Sequence, residues 1–229
     1  MPRAGLALAF ALWGIAADAQ VSGSATVASD YRFRGISLTG NRPVVQATVD
    51  YDAPTGIYAG AFASNVRLDD RHGGTAQLLG FAGYSLKLGE GPDLDVGASA
   101  SAFPAQRIYD YAEVHVGIAY SGIAARASYA PHYFGQPGAT WYFEASGSRP
   151  LRESANAFVR AGLLRQESTG YYDSRTPRTI VDAGAGVSFD LSGFTATLAW
   201  SGVSTLQYPY PVAGAKRRNA VVVSVTRRF

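Results

Sequence analysis

Segment after segment of this chain alternates apolar and polar residues with a period of two, and no stretch sustains a 3.6-residue repeat. Ala25, Val27, Tyr31 and Phe33 alternate with Ser24, Thr26, Asp30, Arg32 and Arg34. Val45, Ala47, Val49 and Tyr51 alternate with Gln46, Thr48, Asp50 and Asp52. Residues 93–101, 113–120, 141–146, 181–189 and 194–201 repeat the pattern. Such a chain builds sheets with one apolar and one polar face; helical and all-parallel folds are excluded. Residues 56–66 and 77–88 are strand-like with either face open to being the apolar one. Residues 123–132 and 155–166 carry Arg126 and Arg160 among small and aliphatic neighbours. Together these make about twelve strands of roughly ten residues, an even number and long enough for tilted strands to cross a bilayer.

The connections sort by length. If the first strand runs outward, the loops at 35–42, 67–76, 103–110, 133–139, 167–178 and 205–218 all fall on one side. The turns at 53–56, 89–92, 121–122 and 190–193 fall on the other, and Ser121-Gly122 is a two-residue hairpin signal. The connection at 149–154 is somewhat long for its side. Short turns at one end and long loops at the other is the asymmetry of an outer-membrane barrel.

Both ends of the chain agree. Residues 219–229 alternate again: Val221, Val223, Val225 and Phe229 share one face, and the chain closes on an aromatic. A terminal aromatic on an alternating strand is what closing strands of bacterial outer-membrane barrels present to the barrel-assembly machinery, so Phe229 is the expected assembly signal. At the other end Arg3 precedes an apolar run, residues 4–17, and then Ala17-Asp18-Ala19 before Gln20. This is the plan of a secretory signal peptide, with the run too short to span a bilayer as a helix. The expected layout is a signal peptide over residues 1–19, cut after Ala19, and an outer-membrane barrel over 20–229.

Composition removes other classes. There is no Cys, so neither a disulfide framework nor a thiolate metal site is available, and the three His are scattered at 72, 115 and 132. No metal or cofactor is expected. Charged residues make up 16% of the chain, sparse enough to suit an outside that faces lipid. The net charge of +3 forms no dense basic stripe, and export removes the chain from nucleic acid. Aromatics at 31, 33, 51, 58, 109, 111, 129, 133, 141, 142, 171, 172, 200, 208 and 210 fall mostly near strand ends, where interfacial girdles place them.

The stretch Ser29-Asp30-Tyr31-Arg32-Phe33-Arg34-Gly35-Ile36-Ser37, followed by Gly56-Ile57-Tyr58-Ala59-Gly60-Ala61-Phe62-Ala63-Ser64-Asn65-Val66, resembles a bacterial family, the TorF-family porins, an exported family formerly of unknown function. Residues 93–97 and 109–114 are similar to its central motifs. The resemblance covers the first 120 residues well and the rest loosely. Arg227 departs from the hydrophobic residue usual two places before the terminal aromatic. The resemblance implies a porin-like barrel in the outer membrane and names no substrate.

A barrel of twelve strands encloses more space than the nearly filled barrel of eight. The polar face is often small, at Gly97, Ser99, Ser101, Gly117, Gly184, Gly186, Ser188, Thr195, Thr197 and Ser201, which leaves room for water. Its larger groups are Asp30, Arg32, Arg34, Glu113, His115, Arg126, Glu144, Arg160 and Asp182, a mixed-sign set fit to set selectivity in a pore or to pair across strands. Glu144 and Arg160 lie equally far from the 149–154 connection and are expected to face each other. Arg32 and Arg34 are expected to point the same way near the outer mouth, as selectivity groups or bonded to loop carbonyls.

The expected function is a porin-like channel for passive diffusion of small solutes or ions, with outer-membrane lipid around it. A barrel hydrolase is the first alternative: His115 shares a face with Glu113, but no G-x-S-x-G elbow is present. The second is a closed structural or adhesive barrel acting through loops such as 207–211. Asp69, Asp70 and Asp173 read as ordinary loop charges.

Overall fold

The computed structural model describes residues 20–68, 73–167, 178–206 and 217–229. The expected signal peptide lies outside these residues, as do Tyr171, Tyr172, Tyr208, Tyr210, His72, Asp69, Asp70 and Asp173. The strands are β1 (Gln20–Ala28), β2 (Arg32–Phe33), β3 (Ile36–Ser37), β4 (Val44–Asp52), β5 (Ile57–Val66), β6 (Thr75–Lys87), β7 (Asp93–Ala102), β8 (Tyr111–Tyr120), β9 (Ile123–Ala130), β10 (Thr140–Arg152), β11 (Ala155–Gln166), β12 (Thr179–Leu191), β13 (Phe194–Val203) and β14 (Asn219–Arg228). All but β2 and β3 form one closed antiparallel barrel of twelve strands, each hydrogen-bonded to its neighbour in sequence. β1 closes the ring against β14, from Ser24↔Arg228 to Ala28↔Ser224. Beyond that register the backbones of Gly23 and Phe229 exchange hydrogen bonds of 2.8 and 3.0 Å. The Phe229 ring lies over Gly23, where an added Cβ would stand 2.5 Å from it. Closure gives every barrel strand a partner on both sides, which is what a sheet needs in lipid.

Alternation places the side chains. Val45, Val49, Val96, Val114, Val116, Ile118, Val159, Leu198, Val223 and Val225 all stand exposed on the outside. Leu198 lies abreast of Val187 and Val223. The faces left open by sequence are settled: Ile57 in β5 and Leu78, Tyr84 and Leu86 in β6 point outward, and Gln77 is buried inside. Exposed Tyr51, Tyr84, Tyr120, Phe189 and Phe194 ring the short-turn end. Trp141 and Trp200 stand toward the other end, Trp141 against Tyr129 at 4.8 Å between ring centres.

The sorting of connections is stricter than sequence indicates. β10 runs on to Arg152, past an irregularity between Pro150 and Arg152, so its turn is only Glu153-Ser154. Ser121-Gly122 and Ser192-Gly193 both turn with positive φ, the two-residue geometry that follows strand twist.

The first strand needs correction. β1 stops at Ala28 instead of alternating to Arg34. The chain then turns back on itself as the β2–β3 hairpin, paired Arg32↔Ser37 and Phe33↔Ile36. Its two-residue turn, Arg34-Gly35, has φ of 49° and 80°. Gly35 suits that backbone; Arg34 does not, and is held there by what its side chain touches.

Candidate functional site

The β2–β3 hairpin lies inside the barrel, at the long-loop end. Phe33, Ile36 and Leu38 pack in one buried cluster with Val66 at the end of β5 and Leu68 beyond it, with Phe103 and Tyr109 from the β7–β8 connection, and with Tyr133 and Phe134 from the β9–β10 connection. Tyr111, Tyr142, Leu164, Ile180 and Val203 close the cluster from the wall. Tyr133 and Phe134 are fully buried, in a short 3-10 turn where Phe134 adopts φ of 50°. Phe134 stacks on Tyr111 with ring centres 4.8 Å apart and meets Phe103 at 5.5 Å. Six of the eleven expected girdle aromatics among the described residues are therefore part of a plug: Phe33, Tyr109, Tyr111, Tyr133 and Tyr142 face inward, and Tyr31 packs against them. Tyr58 also points inward, lower in the lumen, where it bonds to Asp95.

Arg34 pins the hairpin across the lumen. Its Nη2 donates to both carboxylate oxygens of Glu113 on β8, at 3.0 and 2.8 Å. The guanidinium sits 4.1 Å from the ring centre of Tyr142 and 4.9 Å from those of Phe33 and Tyr133. Burial acts to lower the pKa of Arg34, but Glu113 and then Tyr133, Tyr111 and Tyr142 outweigh it and hold the group above its ordinary value. Arg32 turns the other way. It pairs with Asp30 at 2.8 Å and donates to the carbonyls of Gly35 and Arg217 and to Asn41. Asp30 in turn accepts from Ser37 and Thr39. The two arginines do not point together into a mouth, because a hairpin turn separates them; both are bound into the plug.

Two further clusters lie below it. In one, Asp95 of β7 meets His115 Nε2 at 2.9 Å, Arg126 at 3.2 Å and the Tyr58 hydroxyl at 2.7 Å. In the other, Arg160 of β11 pairs with Asp182 of β12 and, at 3.5 Å, with Glu144 of β10, while the Tyr142 hydroxyl lies within hydrogen-bond distance of both carboxylates, at 3.2 Å from Glu144 and 3.1 Å from Asp182. The pairing of Glu144 with Arg160 exists, but not face to face. Glu144 lies opposite Gly162, and Arg160 opposite Ser146. The longer β10 displaces the register by two, and the contact is diagonal.

All nine candidate residues are interior, in three clusters that also need Asp95, Tyr58 and Tyr142. Asp95 is readable on the polar face of 93–101. Tyr58 hides in a segment of open facing, and Tyr142 among strand-end aromatics.

The small lumen residues do not simply leave space. A Cβ on Gly97 would meet the Tyr58 hydroxyl and the His115 ring, and one on Gly184 would meet Arg160. One on Gly186 would meet Phe158. These glycines are floors under large side chains that lie flat across neighbouring strands. Toward the short-turn end the wall is polar and partly accessible, with Ser22, Ser24, Thr48, Asp50, Thr197 and Ser224.

The arrangement defines a closed antiparallel barrel of outer-membrane type with a polar lower lumen and a packed upper end. Its solved counterparts agree in fold. The NanC porin superposes with a TM-score of 0.62 at 8% identity, over 91% of this chain and 99% of that one. The KdgM porin, solved with disordered oligogalacturonate, gives 0.54 at 10% identity, over 91% and 98%. The translocator domain of the autotransporter NalP from Neisseria meningitidis gives 0.50 at 16%, over 91% and 88%. No curated protein sequence matches the chain. A family model matches residues 14–229: the chain belongs to the bacterial protein family of unknown function Gcw_chp.

Proposed function

We propose that this protein is a passive, porin-like channel of the bacterial outer membrane for small solutes or ions, and that the arrangement described is its closed state. The observation that carries the reading is the unequal lumen. The short-turn half is lined by hydroxyls and paired charges that water reaches, whereas closure of the other half is centred on one inward-folded hairpin, β2–β3. A barrel serving only as a scaffold has no use for a wet half-lumen. The porin folds of NanC and KdgM support the architecture of the reading, as do the opening motif at 29–37 and its likeness to TorF-family porins. The same proposal takes residues 1–19 as the leader, cut after Ala19, and β14 with Phe229 as the segment offered to the assembly machinery.

Selectivity would rest on the charges that remain accessible. The side chains of Arg126 and Arg160 are 22% and 19% exposed, against 4% and 5% for Arg32 and Arg34. Catalysis is not part of the reading: His115 Nε2 is engaged by Asp95 and Tyr58 rather than poised on a serine.

Planar-bilayer conductance tests the proposal. Replacing residues 30–39 by a short Gly-Ser turn should raise unitary conductance several-fold over the wild type. Silence from both proteins selects the closed structural barrel. Hydrolysis of lipid or peptide by the same refolded sample selects the enzyme.

A further inference from the structure

The wall has one opening that the channel reading does not use. β4 and β5 are paired from Asp52↔Tyr58 to Gln46↔Ser64 and then part. Above that point the side chain of Asn65 takes the place of the missing backbone ladder. Its Oδ1 accepts from Val45 N–H at 2.7 Å, and its Nδ2 reaches the Pro43 carbonyl at 3.5 Å. The chain beyond β5 leans inward instead, with Arg67 N–H donating to the Leu38 carbonyl of the plug at 2.7 Å. The divergence leaves a groove of about 600 Å³ at the long-loop end of β4, β5 and β6. That volume is in the range of small-molecule sites, about 300–1,000 Å³.

The groove is amphiphilic along the membrane normal. Its lower part is lined by Val45, Ala47, Ala63 and Ala76, side chains of the lipid-facing surface. Ala63 lies opposite Ala47 on one side and Leu78 on the other, so small residues form a trough beside a larger neighbour. Its rim carries Arg42 and Arg67. Arg42 is exposed and has no ion-pair partner among the described residues. An apolar trough on the outward face, with two guanidiniums at its long-loop rim, which the outer-membrane reading puts beside the outer headgroups, is complementary to one kind of molecule. We propose that the groove binds a phosphorylated, acylated lipid of the outer leaflet, an acyl chain lying on the alanine trough and a phosphate on Arg42 and Arg67. Guanidinium suits this role because its planar fork takes phosphate oxygens in pairs. The site is separate from the lumen, so it stands or falls independently of conduction.

Native mass spectrometry of the refolded full barrel, released from detergent, tests this with diphosphorylated lipid A as the probe. The wild type should hold one lipid A in preference to phosphatidylethanolamine. Arg42→Gln with Arg67→Gln should weaken it by at least about tenfold, the minimum expected when charged hydrogen bonds to phosphate are removed. Ala63→Phe, which fills the trough and leaves both arginines, should weaken it as much. Heat-modifiable gel mobility verifies that each variant is folded, and the single change Arg42→Gln at an exposed position provides a milder variant. Excess inorganic phosphate should not displace the lipid, since the acyl chain carries part of the binding. Equal binding by wild type and both variants overturns the proposal, and so does equal binding of phosphatidylethanolamine. Loss of the wild-type adduct on chelation overturns the assignment to arginine, placing a bridging divalent cation in its stead.

Discussion

Arg34→Ala should loosen the plug more than any other single truncation in the lumen. The guanidinium carries the plug's ion pair to β8, and its removal leaves the Glu113 carboxylate, 14% exposed, without that partner. Removing one member of a buried ion pair typically costs about 3–5 kcal/mol. The three rings within 5 Å also lose a cation, each contact being worth about 0.5–2 kcal/mol, so the upper part of that range is expected. Adding Glu113→Gln to Arg34→Ala removes the stranded charge and should recover at least about 1 kcal/mol, a positive coupling of the size seen for groups in direct contact. Arg34→Lys should fall between, since an ammonium keeps the charge but not the planar group that lies against Tyr142, Phe33 and Tyr133. Urea titration in liposomes gives the free energies. Trypsin gives the local one: cleavage after Arg32, slow in the wild type, should accelerate in Arg34→Ala and in Glu113→Gln. A change below about 0.5 kcal/mol in Arg34→Ala, or unchanged cleavage, would show that the hairpin is held by its apolar contacts alone and would refute the latch.

Three other outcomes follow from the geometry. Leu198→Arg should destabilise the barrel by about 2–4 kcal/mol in liposome denaturation, because it stands among Val187 and Val223 on the lipid face, whereas Thr197→Arg, facing Ser188 and Ser224, should cost well under half of that. Gly97→Val should push Tyr58 and His115 off their floor and cost about 1–3 kcal/mol, with loss of the histidine signal that reports its contact to Asp95 in NMR; Ser99→Val, next along the same face, should leave that signal in place. Intact mass of protein taken from outer membranes should correspond to a chain beginning at Gln20, and retention of residues 1–19 would contradict the export reading.

The barrel itself was legible because lipid imposes a stringent rule. Every strand must show an apolar residue at each second position, and that signal is local in sequence. The Val187, Leu198 and Val223 row is visible in this way strand by strand. The plug was not legible, and residues 29–39 show why. The alternation of β1 slips once, at Ala28-Ser29, and then resumes through Asp30, Tyr31, Arg32, Phe33 and Arg34, so the segment still reads as strand, yet the chain leaves the wall at Ala28. Besides that slip, the local mark of the departure is Arg34-Gly35 followed by Ile36, a two-residue turn whose first position is filled by a residue that rarely adopts positive φ. Sequence cannot weigh that strain, because what offsets it is Glu113, 79 positions away.

The aromatic residues carry the same ambiguity in a sharper form. A tyrosine near a strand end serves a membrane girdle if it points out and a buried cluster if it points in, and one residue of register decides between them. Trp141 and Tyr142 are adjacent: the first stands in the girdle against Tyr129, the second lies under Arg34 in the lumen. Composition counts both alike. The distinguishing feature is the residue across the ladder. Large inward aromatics lie over a glycine or under a cation, as Tyr58 has Gly97 and Tyr142 has Arg34; outward ones mostly lie beside aliphatic residues or another ring, with Phe229 over Gly23 and Phe194 under Arg227 at the short-turn end. Once pairing is known, the glycines of the polar face point to where the large lumen side chains lie, and so to a lumen narrower than small residues alone would suggest.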